Sequence, residues 1–466
     1  MYDAYDITDL SNLISDTVSS LVQICNAHSL HIPRLDEKFT QDSESFRSNK
    51  DAGKAIKIIT GAALQLAATL MPPQETIFQV THGHFKTAAM RVAVSCHVPE
   101  ILRDAGPKGL HSKTIAEKSG VDDGRLARLL RYLANRHVFR EVAPDVFTHN
   151  RISGMLDTGK PVDVIFQDPE SKHDGTNGFV ALVELYTSDG HKGSSYLLEN
   201  MKDPKTSHAT EANQGPMQRG LGTEMSYWEW YSQPERLYER RRFGVAMKGV
   251  ASMEPPGFIL KAFDWSSLSA DSIIIDVAGG IGISSMEILK AFPHLNIIVQ
   301  DIPAVVEEAV KFWEKELPDA LVSQRIKLQA HDMFTPQPIQ NASIFLLKDI
   351  LHNWPDAYSV KLLTHLREAA TPTTRLLIFD TVLPYTCDNT GPTVDEFATE
   401  NNRIPGLSLG SANEMPYSRD IAMMVWLNAQ EHTLGQFRAL FKISGWRMVG
   451  VTRDGFGLDY VEALPS

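Results

Sequence analysis

The clearest periodic signal in the chain lies in its second half, where short apolar runs alternate with helical patterns. Residues 273–276, 297–301, 326–330, 344–347 and 376–380 are apolar runs of strand length, with helical segments between them. Ile283, Met286 and Leu289 recur at helical spacing after the first run, and Pro293 stops that helix. Unbroken apolar runs are what strands covered on both faces require. Near the end, 446–451 and 460–463 read as a closing strand pair. From 271 onward the pattern predicts an α/β domain built on a doubly wound, mostly parallel, Rossmann-like sheet.

The first half has a different texture. Residues 1–35 read as helical, with Leu10, Leu13, Val18, Leu21 and Val22 as the apolar positions, and the polar stretch 36–51 reads as an exposed link. A strongly apolar helix follows over 54–70, stopped by Pro72-Pro73. It is too short to span a bilayer and suits a core or a subunit interface. In 84–147, short helices are separated by Gly106-Pro107, Gly120 and Gly124, and Thr114 and Glu117 have capping-box spacing. Leu126, Leu129, Leu130 and Leu133 share a helix face, and strands 138–142 and 146–148 turn at Pro144-Asp145. Helix, turn, helix and hairpin make a winged-helix pattern. Arg125, Arg128, Arg131 and Arg136 would line a DNA-recognition helix, but Glu117, Asp122, Asp123 and Glu141 surround them. A subunit-pairing face is the better reading.

Composition narrows the class. With 466 residues, 43% apolar and 22% charged, the chain is globular and long enough for more than one domain. A net charge of −12 disfavours nucleic-acid partners. Cys25, Cys96 and Cys387 are odd in number and widely spaced, which argues against disulfides and a thiolate metal site and favours a reducing compartment. There is no run of eighteen apolar residues and no signal-like N-terminus, so a cytoplasmic chain without membrane contact is expected.

Two constellations carry chemistry. The strand ending at Asp276 runs into Gly279, Gly280 and Gly282, where the backbone can turn tightly against a ligand. Asp301 ends the next strand, nineteen residues past Gly282, where an open α/β sheet places an acid for ribose hydroxyls. A dinucleotide fingerprint would place a third glycine at Ser285, so the turn predicts a nucleoside without a pyrophosphate. The other constellation is Lys348 at a strand end, then His352, Asn353 and Trp354. A His beside a Trp just past a central strand suits a cleft better than a core. Asp380 ends a further strand, and Glu431 precedes a helix beginning near Thr433. His82-Gly-His84 has no third metal ligand nearby in sequence.

Asp276-Val-Ala-Gly-Gly-Ile-Gly282, Gln300-Asp-Ile-Pro303, His331-Asp-Met-Phe334, Lys348-Asp-Ile-Leu-His-Asn-Trp354 and Glu431-His-Thr433 match in order and spacing the motifs of one family. The chain resembles the plant- and fungal-type small-molecule O-methyltransferases, the caffeate O-methyltransferase-like enzymes that use S-adenosylmethionine. The resemblance is strong over 210–455 and fair for the winged-helix part, which in that family forms an intertwined homodimer. Residues 1–50 resemble the extended N-terminus of fungal members.

The resemblance implies two domains: 1–160, a helical extension with a winged-helix dimerisation domain, and 161–466, linking helices with the cofactor-binding catalytic domain. It implies that Asp276, Gly279, Gly280, Gly282, Asp301, Asp332, Met333 and Lys348 hold S-adenosylmethionine. His352 would be the general base, flanked by Asp380 and Glu431. Asn353, Met423, Met424 and Trp426, with Met225, Tyr227 and Trp228, would bind an aromatic acceptor, and no metal is required. The product would be S-adenosylhomocysteine.

Two departures stand out. The family commonly has glycine where this chain has Ala278, which is accommodated if its φ is negative. It usually has Asp where this chain has Asn353, which removes a negative charge beside the base. A second reading keeps the fold but not the reaction: a secondary-metabolism enzyme that has lost methyl transfer, of pericyclase or dehydratase type.

Overall fold

The computed structural model describes residues 5–254, 257–386, 407, 410–453 and 458–466. Cys387 lies outside them. The chain forms two units, one of 1–197, 217–253 and 403–414, the other of 198–216, 254–402 and 415–466.

In the first unit, α1 (Ile7–Ala27) packs on α2 (Lys50–Leu70). Asp6 caps α1 through a capping box with Asp9. The stretch 36–51 differs from the exposed link expected of it. Phe46 is buried with Leu21, Cys25, Ala52 and Ala55, and Glu44 pairs with Arg151. One aromatic in a polar run is enough to anchor the run, because burying it stabilises by about 1.5–3 kcal/mol.

After α3 (Pro73–Thr81) and α4 (Gly83–Ser95) comes α5 (Ser112–Ser119), followed by α6 (Asp123–Ala134). The N-cap of α5 is His111, whose Nδ1 accepts from the Lys113 amide at 3.1 Å, so Thr114 lies inside the helix rather than capping it. Asp122 caps α6, and Leu126, Leu130 and Leu133 are buried while Leu129 packs at the edge of the same core. Strands β1 (Leu110–His111), β2 (Arg140–Ala143) and β3 (Val146–Thr148) form a small antiparallel sheet. Arg131 is tied to Glu141 at 3.0 Å and Asp145 at 2.6 Å, so its charge is neutralised within the unit. Further along, α7 (Phe179–Leu185) packs on α8 (Leu237–Ala251).

The second unit is organised by β4 (Ile273–Val277), β5 (Asn296–Asp301), β6 (Ile326–Ala330), β7 (Ile344–Lys348), β8 (Arg375–Asp380), β9 (Trp446–Arg453) and β10 (Asp459–Pro465). They lie in the order β6-β5-β4-β7-β8-β10-β9, with α9 (Asp356–Ala369) after β7, and α10 (Met415–Leu427) and α11 (Leu434–Ser444) between β8 and β9 in the chain. The first five are parallel, and β10 runs antiparallel between β8 and β9. Both faces of the sheet are apolar. Ile275, Phe345, Ile378 and Val461 belong to one core; Ile274, Leu346, Leu377 and Phe379 belong to the other. Strand order reverses beside β4, so the crevice above the carboxyl ends of β4 and β7 is the topological switch point where such sheets bind ligands.

Candidate active site

At the end of β4 the Asp276 carboxylate is 2% exposed and accepts a bond from Ser285 Oγ at 2.6 Å. Burial pushes its pKa up to about 6, against the pull of that bond. The position that would hold the third dinucleotide glycine thus carries a hydroxyl that secures the turn.

The turn itself is tight. A Cβ on Gly279 would fall 2.4 Å from Asp276 Cγ, and one on Gly282 (φ 81°) would fall 2.9 Å from Trp313 Nε1. Gly280 (φ 61°) faces open space, and its amide donates to Asp301 Oδ2 at 2.8 Å. Ala278 does not meet the condition of a negative φ: its φ is +54°, in the left-handed region where a Cβ is strained. The turn keeps this geometry because Asp276, Ser285, Asp301 and Trp313 hold it from all sides.

Asp301 is half-buried, and burial raises its pKa even though the Ile302 and Gly280 amides favour the charged form. Asp332 Oδ1 accepts the Phe334 amide at 2.9 Å, and Met333 packs at the edge of the core. Phe334 then meets Trp354 and Tyr358 edge to face, with Phe334 and Trp354 centroids 4.7 Å apart, while the Trp354 and Tyr358 planes are tilted by 30°. These rings join the turn after β6 to the turn after β7. An open glycine turn, a strand-end carboxylate and an apolar shelf beyond β6 are features that fit a nucleoside.

After β7, Lys348 Nζ donates to Glu254 at 2.7 Å and to Asp349 at 2.6 Å. Burial disfavours the ammonium, but Asp349 and Glu254 outweigh it and raise the Lys348 pKa. Asp349 has φ +55°, a strained position for a side-chain-bearing residue, and also pairs with Arg419. His352 follows on a 3₁₀ turn (Leu351–Asn353) and is buried. Its Nδ1 lies 2.8 Å from Glu431 Oε1.

Glu431 sits just before α11 (Leu434–Ser444), whose N-cap is Thr433 in a capping box with Gln436. Its pKa stays low: burial opposes ionisation, but His352 and Arg419 outweigh it. An ionised carboxylate at 2.8 Å requires a proton on Nδ1, which leaves Nε2 as the acceptor. Nε2 has no hydrogen-bond partner among the described residues. Burial works against the imidazolium, yet Glu431, with help from Asp380 and against Arg419, raises the His352 pKa above its ordinary value.

Asp380 ends β8, 1% exposed. One oxygen accepts the Leu351 amide at 3.2 Å, and the other is buried without a partner among the described residues. Burial, with Glu431 and Asp349 nearby, brings its pKa up to about 7. Asp349, His352 and Asp380 bring ligand atoms within 4.8 Å of one another. Lys348 and Arg419 already neutralise Asp349, so a metal there would face two fixed cations, and this donor set suits a proton better than a divalent ion.

The substrate candidates are less uniform. The Asn353 amide donates to the Asp349 carbonyl at 2.7 Å, so it braces the strained turn. Met423 and Trp426 are buried, and Met424 is half-buried, on α10 (Met415–Leu427), which packs against the His352 turn. Met225, Tyr227 and Trp228 belong to the first unit, where Tyr227 is buried and bonded through its hydroxyl to Tyr231 at 3.0 Å. His82 and His84 each bond a nearby carbonyl through Nδ1.

Sequence reasoning missed Arg419, Asp349 and Glu254. Arg419 and Asp420 are adjacent charges inside a helix otherwise without charged residues, which was a legible signal. Asp349 and Glu254 left no comparable mark.

Strand order, glycine turn and strand-end carboxylates together define an α/β enzyme fold with a ligand crevice at its topological switch point. The O-methyltransferase domain family model matches residues 208–447, and the O-methyltransferase dimerisation domain model matches 78–158. An O-methyltransferase of Armillaria gallica is 40% identical over 94% of this chain and 94% of its own length. The 4-O-methyltransferase 1 of Phanerochaete chrysosporium is 38% identical over 99% of both. Among solved structures, the mitomycin 7-O-methyltransferase MmcR is 25% identical with a TM-score of 0.62, covering 87% of this chain and 99% of that one. A structure described as a pericyclic reaction enzyme, 18% identical, shares the fold with a TM-score of 0.69 over 98% of this chain and 99% of that one. The chain belongs to the S-adenosylmethionine-dependent O-methyltransferases.

Proposed function

We propose that the acceptor is a phenolic hydroxyl of an aromatic small molecule and that His352 is the general base. The observation that carries this reading is the 2.8 Å contact between His352 Nδ1 and Glu431, which leaves Nε2 free to take a proton. S-adenosylmethionine, when bound, supplies an electrophilic methyl on a sulfonium. Asp301 is assigned to the ribose, the turn from Gly279 to Gly282 to the methionine part, and Asp332 and Met333 to the adenine.

Proton removal matters because a phenol with pKa near 10 is about one part in a thousand phenolate at pH 7, a deficit of roughly 4 kcal/mol. His352 Nε2 accepts that proton, the phenolic oxygen becomes the nucleophile, and Glu431 stabilises the imidazolium that forms. Asp380 flanks the base with a second carboxyl, and Met423, Met424 and Trp426 offer apolar surface for an aromatic ring. The reading of a fold that has lost methyl transfer is disfavoured by the named O-methyltransferases at 38–40% identity. We also propose that the dimerisation domain pairs two copies of this chain.

The test is incubation of pure protein with methyl-labelled S-adenosylmethionine and a panel of phenols, parent beside His352→Ala. Labelled phenol ethers are expected from the parent, with the variant slower by about 10²–10⁴-fold. No product on any phenol, with no cofactor binding by calorimetry, overturns the reading. An undiminished His352→Ala rate removes the base assignment alone.

A further inference from the structure

Arg419 has no part in the proton transfer, yet it touches His352 and two of the groups around it, Glu431 and Asp349. Its Nε lies 2.8 Å from Glu431 Oε1, the same oxygen that His352 Nδ1 meets at 2.8 Å. Its Nη2 pairs with Asp349 and stands 3.2 Å from His352 Nδ1. The other Glu431 oxygen is buried without a partner among the described residues. One carboxylate oxygen is therefore divided between a guanidinium and an imidazole. Because Nδ1 carries a proton, the Arg419 contact at 3.2 Å sets a cation against an N–H edge rather than making a hydrogen bond.

Resting on the reading of His352 as the base, we propose that Arg419 is its positioning residue. It fixes Glu431 on the Nδ1 edge, and its charge keeps the imidazole from holding a proton so tightly that Nε2 can no longer accept one.

Every charged group packed on the ring enters this balance. Glu431 precedes α11 and Asp380 ends β8; both favour the imidazolium. Arg419 on α10 opposes it. Asp349 after β7 is negative but is neutralised by Lys348 and by Arg419 itself. Asp420 accepts the Glu431 amide at 2.9 Å, and His432 pairs with Asp356 at 3.1 Å, so both act on the far side of Glu431. Removing Arg419 thus changes three things in one direction. It takes away a cation, gives all of Glu431 to His352, and leaves Asp349 less neutralised.

Left unchecked, that would trap the base in its protonated form near neutrality, because a histidine starts close to pH 6.5. Strand ends and helix order could be kept without Arg419, but the proton affinity of His352 could not. A merely structural arginine would leave that affinity where it is.

The experiment follows the His352 imidazole by NMR with ¹³C-labelled histidine in the full-length protein, its resonance assigned by loss in His352→Gln. Arg419→Gln is expected to raise the titration midpoint by about one unit, tenfold in proton affinity. The acidic limb of kcat/KM should move with it, so that activity lost near neutrality returns at higher pH. Arg419→Lys keeps a cation and is expected to hold the midpoint near the parent value. The double variant Arg419→Gln/Asp349→Asn removes the buried pair together, is expected to fold if the single variant does not, and should still show a raised midpoint because Glu431 stays undivided. An unchanged or lowered midpoint in whichever of the two glutamine variants is folded overturns the proposal. The NMR midpoint is read without turnover, so a failure of His352 as base, seen in an active His352→Ala, remains distinguishable.

Discussion

At the scale of single residues, the site is a set of carboxylates whose surroundings push them apart. Glu431 stays ionised because two cations face it, while Asp380, buried with one oxygen unpartnered, sits near pKa 7. As the proposed base, His352 must be neutral to act, and its folded pKa is raised, so activity should fall as pH drops through a value above the ordinary 6.5. Asp380→Asn removes a charge that favours the imidazolium, and should move that acidic limb downward in a kcat/KM profile. Asp276 gives a separate prediction. Its folded pKa of about 6 lies above the ordinary 3.8, so its favourable contribution is full below about pH 4 and is lost as pH rises through 6. A shift of about two units corresponds to roughly 3 kcal/mol once the group is ionised. Melting temperatures of Asp276→Asn and parent should be close at about pH 4, with the variant ahead at about pH 8. Equal melting curves at both pH values would contradict a burial-raised Asp276.

At the scale of elements, the turn after β4 shows what one-dimensional reading can and cannot reach. Gly279 and Gly282 were legible as required glycines, and the structure names the obstacles as the Asp276 carboxyl and the Trp313 indole. The sign of φ at Ala278 was not legible, because it depends on how Asp301 and Trp313 hold the turn from elements farther along the chain. Left-handed backbone costs alanine about 1–2 kcal/mol, while glycine loses about 0.5–1 kcal/mol through its freer unfolded chain. Strain wins, so Ala278→Gly should raise stability by about 0.5–1 kcal/mol, read as a higher urea midpoint with unchanged slope. Strand bounds were read within a residue or two, since buried parallel strands write themselves as unbroken apolar runs. The start of α5 was misread at Thr114 because capping spacing alone does not say which residue leaves the helix.

At the scale of the whole molecule, the dimerisation domain match begins at residue 78, on a helix that shows apolar side chains to solvent. Ile77, Phe78 and Val80 on α3 are 65–75% exposed, with Leu70 at the end of α2 also exposed. Such a cluster is unusual on a lone subunit. Sedimentation should show about twice the chain mass of 51.9 kDa, and Phe78→Arg should shift the population toward the single chain. A parent that sediments as one chain would remove the homodimer. Among the described residues, no single helix is long and apolar enough to cross a membrane; α2 and α3 pass that test only as a pair bent by 115°.

The sequence by itself determined the sheet, the glycine turn and the acids at the strand ends, because those depend on local period and on spacing along one chain segment. It also marked His352, Glu431 and Asp380 through their motifs. What only the tertiary structure decided is the electrical state of that histidine. Arg419 lies 67 residues from His352 and Glu431 lies 79 away, and both reach it only because β7, α10 and the start of α11 converge. Proton affinity is a sum over charges in space, and distance in space is what folding supplies.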